Sequence, residues 1–123
     1  MKIALVTATP FELGPLLKEL GIVVLKEGEV VRATYNSHEL YFICCGVGLV
    51  KTAFHLGKLL SEIKPDLALQ AGVAGSFLSD FKIGDVVCAA TERIYDLGAE
   101  DHENFLSLDE MNLGSQQIQS SKL

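Results

Sequence analysis

The chain has 123 residues, enough for one domain that buries roughly two thirds of its unfolded surface. Its net charge of -6 and its scattered Lys and Arg residues exclude a nucleic-acid or anionic-membrane surface, because both need clustered cations. The apolar N-terminal run stops at Thr9 and Pro10, too early for a signal peptide or a membrane span, so we expect a cytoplasmic protein with no membrane partner.

The first two elements are a strand and a helix. Lys2 to Ala8 is an apolar, β-branched run that predicts a buried strand. Thr9 is a favourable N-cap and Pro10 suits the first helical position, so a helix is expected from Pro10 to Leu20, with Gly21 as its end.

A hairpin and a second helix follow. Alternating residues around Val31 to Tyr35 predict a strand, Asn36 to His38 a solvated turn, and the run LYFICC a buried strand. The next helix is expected to end at Lys64 and Pro65. Its predicted core face comprises Val50, Ala53, Phe54, Gly57 and Leu60, widened by Leu56, Leu59 and Ile63.

The segment from Asp66 to Phe77 reads as the central strand, buried on both faces, that runs into a turn of small residues. Ile83 to Ala90 predicts another buried strand, entered by a tight Gly-Asp turn. Thr91 to Gly114 predicts a long ordered loop, and residues 115–123 a disordered or cut-off tail.

The order of these elements predicts an α/β fold with a mixed, mostly parallel sheet flanked by helices. Only two helices are expected, which leaves one face of the sheet poorly covered. We therefore expect a single domain over residues 1–123 that is truncated at its C-terminal side.

Cys44, Cys45 and Cys88 lie inside apolar runs, and no CxxC spacing is present. The pattern predicts buried free thiols in a reducing compartment and no metal site.

Three turns of small residues follow predicted strands: Ala8-Thr9, Gly46-Val47-Gly48 and Gly72-Val73-Ala74-Gly75. In open α/β sheets, ligands bind at the carboxyl ends of the strands, so the three turns together predict a ligand site. The run GVGLVK only half-matches a dinucleotide fingerprint, since Lys51 replaces the third Gly, and we expect no cofactor.

Glu12 is the carboxylate close behind the first of these turns. Two interpretations stay open for it. It can cap the helix N-terminus, where the helix dipole favours negative charge. It can also serve as a general base that takes a proton from a water bound at the strand ends.

Four segments, MKIALVTATPFEL, CGVGLVKTA, KPDLALQAGVAGSF and KIGDVV, resemble the N-terminal part of the nucleoside phosphorylase and nucleosidase superfamily in order and spacing. The resemblance implies the superfamily's fold and a small nucleoside as the partner molecule. It places Glu12 where methylthioadenosine/S-adenosylhomocysteine nucleosidases carry the acid that orients the attacking water. It further implies substrate contacts by Ala8, Thr9, Gly48, Val73, Ala74 and Gly75.

The resemblance implies hydrolysis, because the phosphorylases hold phosphate with basic residues and no Arg or Lys lies between Thr7 and Gly14. Val73 stands where those nucleosidases carry a hydroxyl residue. Residues 92–114 instead resemble futalosine hydrolases, which split futalosine into hypoxanthine and dehypoxanthine futalosine in menaquinone biosynthesis. The alternatives are a methylthioadenosine/S-adenosylhomocysteine nucleosidase and a non-catalytic nucleoside-binding or interaction domain.

In the resembled family the acid that protonates the purine and the Glu that binds the ribose come from the C-terminal half. We therefore expect negligible activity from these 123 residues alone. The family's dimer also implies that Phe105 and Leu106 line the partner subunit's 5′ pocket, although a loop packed on its own subunit is an equal alternative. His102 or Arg93 is the implied partner for futalosine's aryl carboxylate.

Overall fold

The structure, a computed structural model, describes residues 1–119. The chain divides into two compact units, Met1–Gly75 and Ser76–Leu123, and each is described by itself. The single domain expected from the sequence stays a prediction. No helix among the described residues is long and apolar enough to cross a membrane.

The first unit is a four-stranded sheet in the order β2-β3-β1-β4. β1 runs parallel to both β3 and β4, while β2 is antiparallel to β3. The mixed α/β sheet predicted from the sequence is confirmed. Its elements are β1 (Lys2–Thr7), a 3-10 turn (Pro10–Leu13), α1 (Gly14–Glu19), β2 (Val30–Tyr35), β3 (His38–Cys44), α2 (Leu49–Ile63) and β4 (Leu67–Gln70).

The segment predicted as one helix from Pro10 to Leu20 is a 3-10 turn followed by the short helix α1. Pro15 explains the break, because it has no N–H to bond to the carbonyl four residues earlier. Both predicted boundaries are confirmed. Thr9 is the extended N-cap, and Gly21 follows the helix at a φ of +69°.

The predicted hairpin is present, but its turn is shorter than expected. Asn36 and Ser37 both adopt positive φ, 46° and 67°, as a two-residue turn between antiparallel strands requires. His38, expected in the turn, is instead the first residue of β3 and pairs with Tyr35.

Each face of this sheet packs against one helical segment at β1 and β3, while Ala68 and Gln70 of the edge strand stay exposed, so the poor cover expected for one face is found at that edge. On one face the core comprises Ala4, Val6, Tyr41, Ile43 and Cys45 with Leu59 and Ile63 of α2. On the other face it comprises Leu40, Phe42 and Cys44 with Leu13, Leu17 and Leu25.

The predicted core face of α2 is wrong in its main residues. Leu59 and Ile63 are buried with Leu56 packed beside them, whereas Val50 and Phe54 are 85% and 69% exposed. The helix contacts the sheet through positions 56, 59 and 63, which lie on one side at helical spacing. Val50 and Phe54 lie on the opposite side.

The strand expected at the centre of the sheet, β4, lies at its edge. Leu67 and Leu69 are half-buried and Ala68 and Gln70 are exposed, so the prediction of burial on both faces is wrong. An edge strand has one neighbour, and in the sheet described here β4 pairs with β1 alone.

The second unit contains two antiparallel strand pairs. β5 (Thr91–Arg93) pairs with β8 (Gln117–Gln119), and β6 (Gly98–Asp101) with β7 (Asn104–Ser107). Thr91 to Gly114 is therefore not the single long loop predicted. Gln117–Gln119 forms a strand where a disordered tail was expected, and the rest of that tail, 120–123, lies outside the described residues.

The strand predicted from Ile83 to Ala90 is not found in this unit. Ile83 and Val86 are fully exposed and Cys88 is exposed, whereas Cys44 and Cys45 are buried as predicted. An apolar run becomes a strand only where a neighbouring strand accepts its backbone hydrogen bonds, and no such strand is described beside it. The tight Gly-Asp turn is confirmed, with Gly84 at a φ of +96°.

Candidate active site

Three turns of the first unit meet at the carboxyl edge of the parallel strands. The Cys45 amide donates to the Thr7 carbonyl at 2.8 Å, and the Ala71 amide donates to the Val6 carbonyl at 3.0 Å. These bonds continue the β1–β3 and β1–β4 ladders and bring the turns together, as predicted from the strand order. We call this region the strand-end edge: Thr7–Thr9, Gly46–Gly48 and Gly72–Gly75.

Glu12 lies at this edge, and one of its two carboxylate oxygens receives a cluster of donors. Oε2 accepts hydrogen bonds from Thr7 Oγ1 at 2.6 Å, from the Thr9 amide at 2.7 Å and from Thr9 Oγ1 at 3.3 Å. The bond from the Thr9 amide is the carboxylate half of a capping box. The capping interpretation of Glu12 is therefore confirmed, and it leaves the second oxygen for other contacts.

The second oxygen, Oε1, faces the turn that follows β4. A Cβ atom placed on Gly72 would lie 3.3 Å from Oε1, so this turn approaches the carboxylate closely because it begins with glycine. The Val73 backbone also lowers the pKa of the Glu12 carboxyl, so this turn acts on the same group. Glu12 therefore joins the turn after β1 to the turn after β4.

Hydrogen bonding holds the pKa of Glu12 below its ordinary value. The Thr7 hydroxyl is the largest cause and the Thr9 amide the next, and together they outweigh the opposing effect of burial. Glu12 is thus ionised at neutral pH and acts as a hydrogen-bond acceptor.

This lowered pKa predicts a pH-dependent contribution to stability. A carboxyl group whose pKa is depressed by folding stabilises the protein above its unfolded pKa, and that contribution is lost as the pH falls through the folded pKa. We expect Glu12→Gln to lower the free energy of unfolding at neutral pH, with a smaller difference well below the ordinary value of 4.5. Urea unfolding of both proteins at the two pH values checks this, and an equal difference at both would contradict it.

The other predicted contact residues of the first unit also lie at the strand-end edge. The Ala8 carbonyl accepts a hydrogen bond from Cys44 Sγ at 3.3 Å, and Gly48 is the N-cap of α2 at a φ of +107°. Val73 presents an apolar side chain that is 79% exposed, and Ala74 and Gly75 complete its turn.

Phe105 and Leu106 belong to β7 in the second unit. The Phe105 ring packs on Gly98 of the paired strand: a Cβ there would lie 2.6 Å from the ring. The Arg93 guanidinium donates two hydrogen bonds, at 3.1 and 2.9 Å, to the side-chain oxygen of the buried Gln116. His102 is highly exposed beside Asp101.

Two features of the site were missed by the sequence analysis. Thr7 is buried and bonded to Glu12, and a hydroxyl at the end of an apolar strand was the available signal. Glu27 lies in an irregular segment with no such signal. Its carboxylate lies against Gly46 and forms an ion pair with Lys51 at 2.7 Å.

Among residues 1–119, no group of three or more His, Cys, Asp and Glu side chains is arranged to hold a metal ion. The chemistry available at the strand-end edge is that of the Glu12 carboxylate with two threonine hydroxyls, the Glu27–Lys51 ion pair beside Gly46, and backbone groups exposed by glycine.

Comparison with known proteins gives both a family and a fold. The profile of the Phosphorylase superfamily matches residues 2–114. A 5'-methylthioadenosine/S-adenosylhomocysteine nucleosidase from Maridesulfovibrio salexigens is 35% identical over 104 residues, which are 80% of this chain and 44% of the relative. The chain thus spans less than half the length of this curated relative.

Two solved structures share the fold. The Streptococcus pneumoniae MTA/SAH nucleosidase in complex with 8-aminoadenine superposes with a TM-score of 0.68 at 31% identity, over 79% of this chain and 44% of that one. The native futalosine hydrolase of Helicobacter pylori superposes with a TM-score of 0.76 at 21% identity, over 99% of this chain and 53% of that one. Because the profile matches residues 2–114, nearly the whole chain, the chain belongs to the Phosphorylase superfamily.

Proposed function

We propose that the full-length protein is a nucleosidase that hydrolyses the N-ribosyl bond of a purine nucleoside. The observation that carries this proposal is the ionised Glu12 carboxylate at the strand-end edge, with one oxygen bonded to threonine donors and the other facing the Gly72 turn. The names of the relatives, which are nucleosidases, support the same reaction class.

Cleavage of an N-ribosyl bond passes through a sugar with oxocarbenium character, as in glycosidases, and a water must then attack the anomeric carbon. Glu12 accepts a hydrogen bond from that water and takes its proton as the new C–O bond forms. A carboxylate with a lowered pKa is a weak base, so its proton transfer comes late, when the cationic sugar has already made the attacking water acidic. The purine leaves with the electrons of the C–N bond and is protonated by a separate acid.

Two observations support water over phosphate as the nucleophile. No Arg or Lys lies from Thr7 to Gly14 behind the first turn. Lys51, in the first turn of α2, is already paired with Glu27 at 2.7 Å. An anion such as phosphate needs cationic partners; residues 7–14 offer none, and Lys51 is engaged with Glu27.

Two substrate candidates follow from different observations. The names of the curated relatives favour methylthioadenosine and S-adenosylhomocysteine. Val73 and the resemblance of residues 92–114 to futalosine hydrolases favour futalosine. The exposed side chain of Val73 is apolar, so it offers a substrate a van der Waals contact and no hydrogen bond.

Release of the free base distinguishes the candidates. The full-length protein is incubated with futalosine, with methylthioadenosine and with inosine plus phosphate, and purine release is followed by chromatography. Turnover of futalosine alone supports the narrow proposal, and turnover of methylthioadenosine alone supports the other nucleosidase. If none of the three is turned over, the result would contradict the proposed nucleosidase function and favour a non-catalytic nucleoside-binding domain.

We further propose that the protein is a homodimer in which Phe105 and Leu106 line the partner subunit's 5′ pocket, the part of its site that holds the 5′ substituent of the nucleoside. Phe105 is 45% exposed in β7, so part of its ring is available for such a contact. Phe105→Ala in the full-length protein is expected to raise KM several-fold with little change in kcat, because a ground-state contact is lost. Phe81→Ala is the matched control, since Phe81 is 47% exposed. An unchanged KM in Phe105→Ala would contradict the proposal.

A further inference from the structure

Thr7, the last residue of β1, buries a hydroxyl group at the strand-end edge. The residue is 1% exposed, and it ends a strand whose neighbouring side chains are apolar. Burying a hydroxyl costs free energy unless it forms a hydrogen bond, so the partners of this group decide what it does.

Two acceptors lie within reach of Thr7 Oγ1. Glu12 Oε2 is 2.6 Å away and the Thr9 carbonyl is 2.8 Å away. A threonine hydroxyl has one proton, and an ionised carboxylate has none to give. The shorter contact goes to the charged acceptor, where the bond is charge-assisted and stronger. Thr7 therefore donates to Glu12.

The donors on Glu12 are distributed unequally between its two oxygens. The threonine hydroxyls and the Thr9 amide all converge on Oε2, while Oε1 faces the backbone of the turn that starts at Gly72. Thr7 is β-branched and lies in a strand that pairs with β3 on one side and β4 on the other. Its χ1 rotation is therefore restricted, and its hydroxyl keeps a fixed position next to the carboxylate.

We propose that Thr7 is the positioning residue of Glu12: its buried hydroxyl fixes Oε2 and leaves Oε1 as the oxygen that holds the attacking water. The catalytic part of this assignment rests on the proposed nucleosidase function. The hydrogen bond itself and its effect on the carboxyl group do not.

The groups around Glu12 allow this contribution to be isolated. Its neighbours are Thr7 from β1, Thr9 from the following turn, and Gly72 and Val73 from the turn after β4; none of these carries a charge. From β3, the Cys44 thiol reaches the same edge, where it donates to the Ala8 carbonyl. A change in the titration of Glu12 on substitution of Thr7 thus reports the lost hydroxyl.

Thr7→Val keeps the branched shape and removes the donor, while Thr7→Ser keeps the donor and removes a methyl group. Loss of a hydrogen bond to a charged group is expected to raise the pKa of Glu12 by about one unit or more in Thr7→Val. Thr7→Ser is expected to keep the wild-type value. In the full-length enzyme, the acidic limb of the kcat profile should move to higher pH in Thr7→Val, with KM nearly unchanged.

The deciding experiment is a carbon-13 NMR titration of the Glu side-chain carboxyl groups in the full-length protein, with the Glu12 signal assigned from its loss in Glu12→Gln. We expect the pKa of Glu12 to be higher in Thr7→Val than in the wild type, and to equal the wild-type value in Thr7→Ser. An unchanged titration in Thr7→Val would overturn the proposal. Thr7→Ala serves as a second hydroxyl-free variant if Thr7→Val does not fold, with the same expected and contradicting results.

This titration does not depend on turnover. If the full-length protein releases no base but the titration behaves as expected, the nucleosidase function fails while the positioning of Glu12 by Thr7 stands. If the protein is active but the pKa of Glu12 is unchanged in Thr7→Val, the positioning proposal fails while the nucleosidase function stands.

Discussion

Glu12→Gln in the full-length protein is expected to lower kcat for nucleoside hydrolysis by about 10²- to 10⁴-fold, the usual contribution of a general base. Gln matches Glu in size, and its amide oxygen can still accept the hydrogen bond from the Thr9 amide that caps the helix. What it lacks is the negative charge and the ability to take a proton from water. The measurement is kcat for base release at saturating substrate.

The control for this result is Glu19→Gln. Glu19 is an exposed residue at the end of α1, so the same chemical change is made away from the strand-end edge. We expect its kcat to equal that of the wild type. A Glu12→Gln protein that folds, as judged by circular dichroism, and keeps its kcat within about threefold would contradict the role of Glu12 as the base.

Phe42→Ala is expected to lower the free energy of unfolding by about 3–5 kcal/mol, the usual cost of replacing a buried aromatic residue with alanine. Phe42 is 0% exposed in β3 and pairs with Leu5 of β1 and Val31 of β2. Its ring lies in the core between the sheet and the α1 side, so its removal leaves a cavity there. Urea unfolding of the 123-residue chain measures the change.

Phe54→Ala is the matched control for this substitution. Phe54 is 69% exposed on α2, although the spacing of apolar residues placed it on the core face. We expect a change of no more than about 0.5 kcal/mol, as is usual for surface positions. Equal losses of stability for the two variants would contradict the described packing of α2.

The strand-end turns were predictable because their signals are local. A buried strand ending in small residues is visible in the sequence, and parallel neighbours bring such ends to one edge whatever the rest of the fold does. The Thr9 N-cap and the stop at Gly21 were likewise correct, since both depend on a few adjacent residues.

The errors concern contacts with distant neighbours. Periodicity showed that α2 is amphipathic, but both Leu59 and Phe54 are apolar, and only the packed sheet decides which of them is buried. The same holds for β4, which lies at the edge, and for Ile83 to Ala90, where no pairing strand is described. The pattern of adjacent residues does not show which distant strand or helix an apolar segment packs against or pairs with.

The fine structure of the site was also beyond the pattern. Glu12 could be named from its place behind a turn, but the capping and catalytic interpretations predict the same residue type at that position. Only the geometry separates the oxygen bonded to Thr7 and Thr9 from the oxygen that faces Gly72. The two interpretations are thereby compatible, one for each oxygen.

Whether water attacks the sugar, as we propose, or phosphate does can be read directly from the sugar product. The full-length protein is incubated with its purine nucleoside in heavy-oxygen water that contains phosphate, and the product is analysed by mass spectrometry. We predict one heavy oxygen at the anomeric carbon and no sugar phosphate, whereas a sugar 1-phosphate would contradict the account and identify phosphate as the nucleophile.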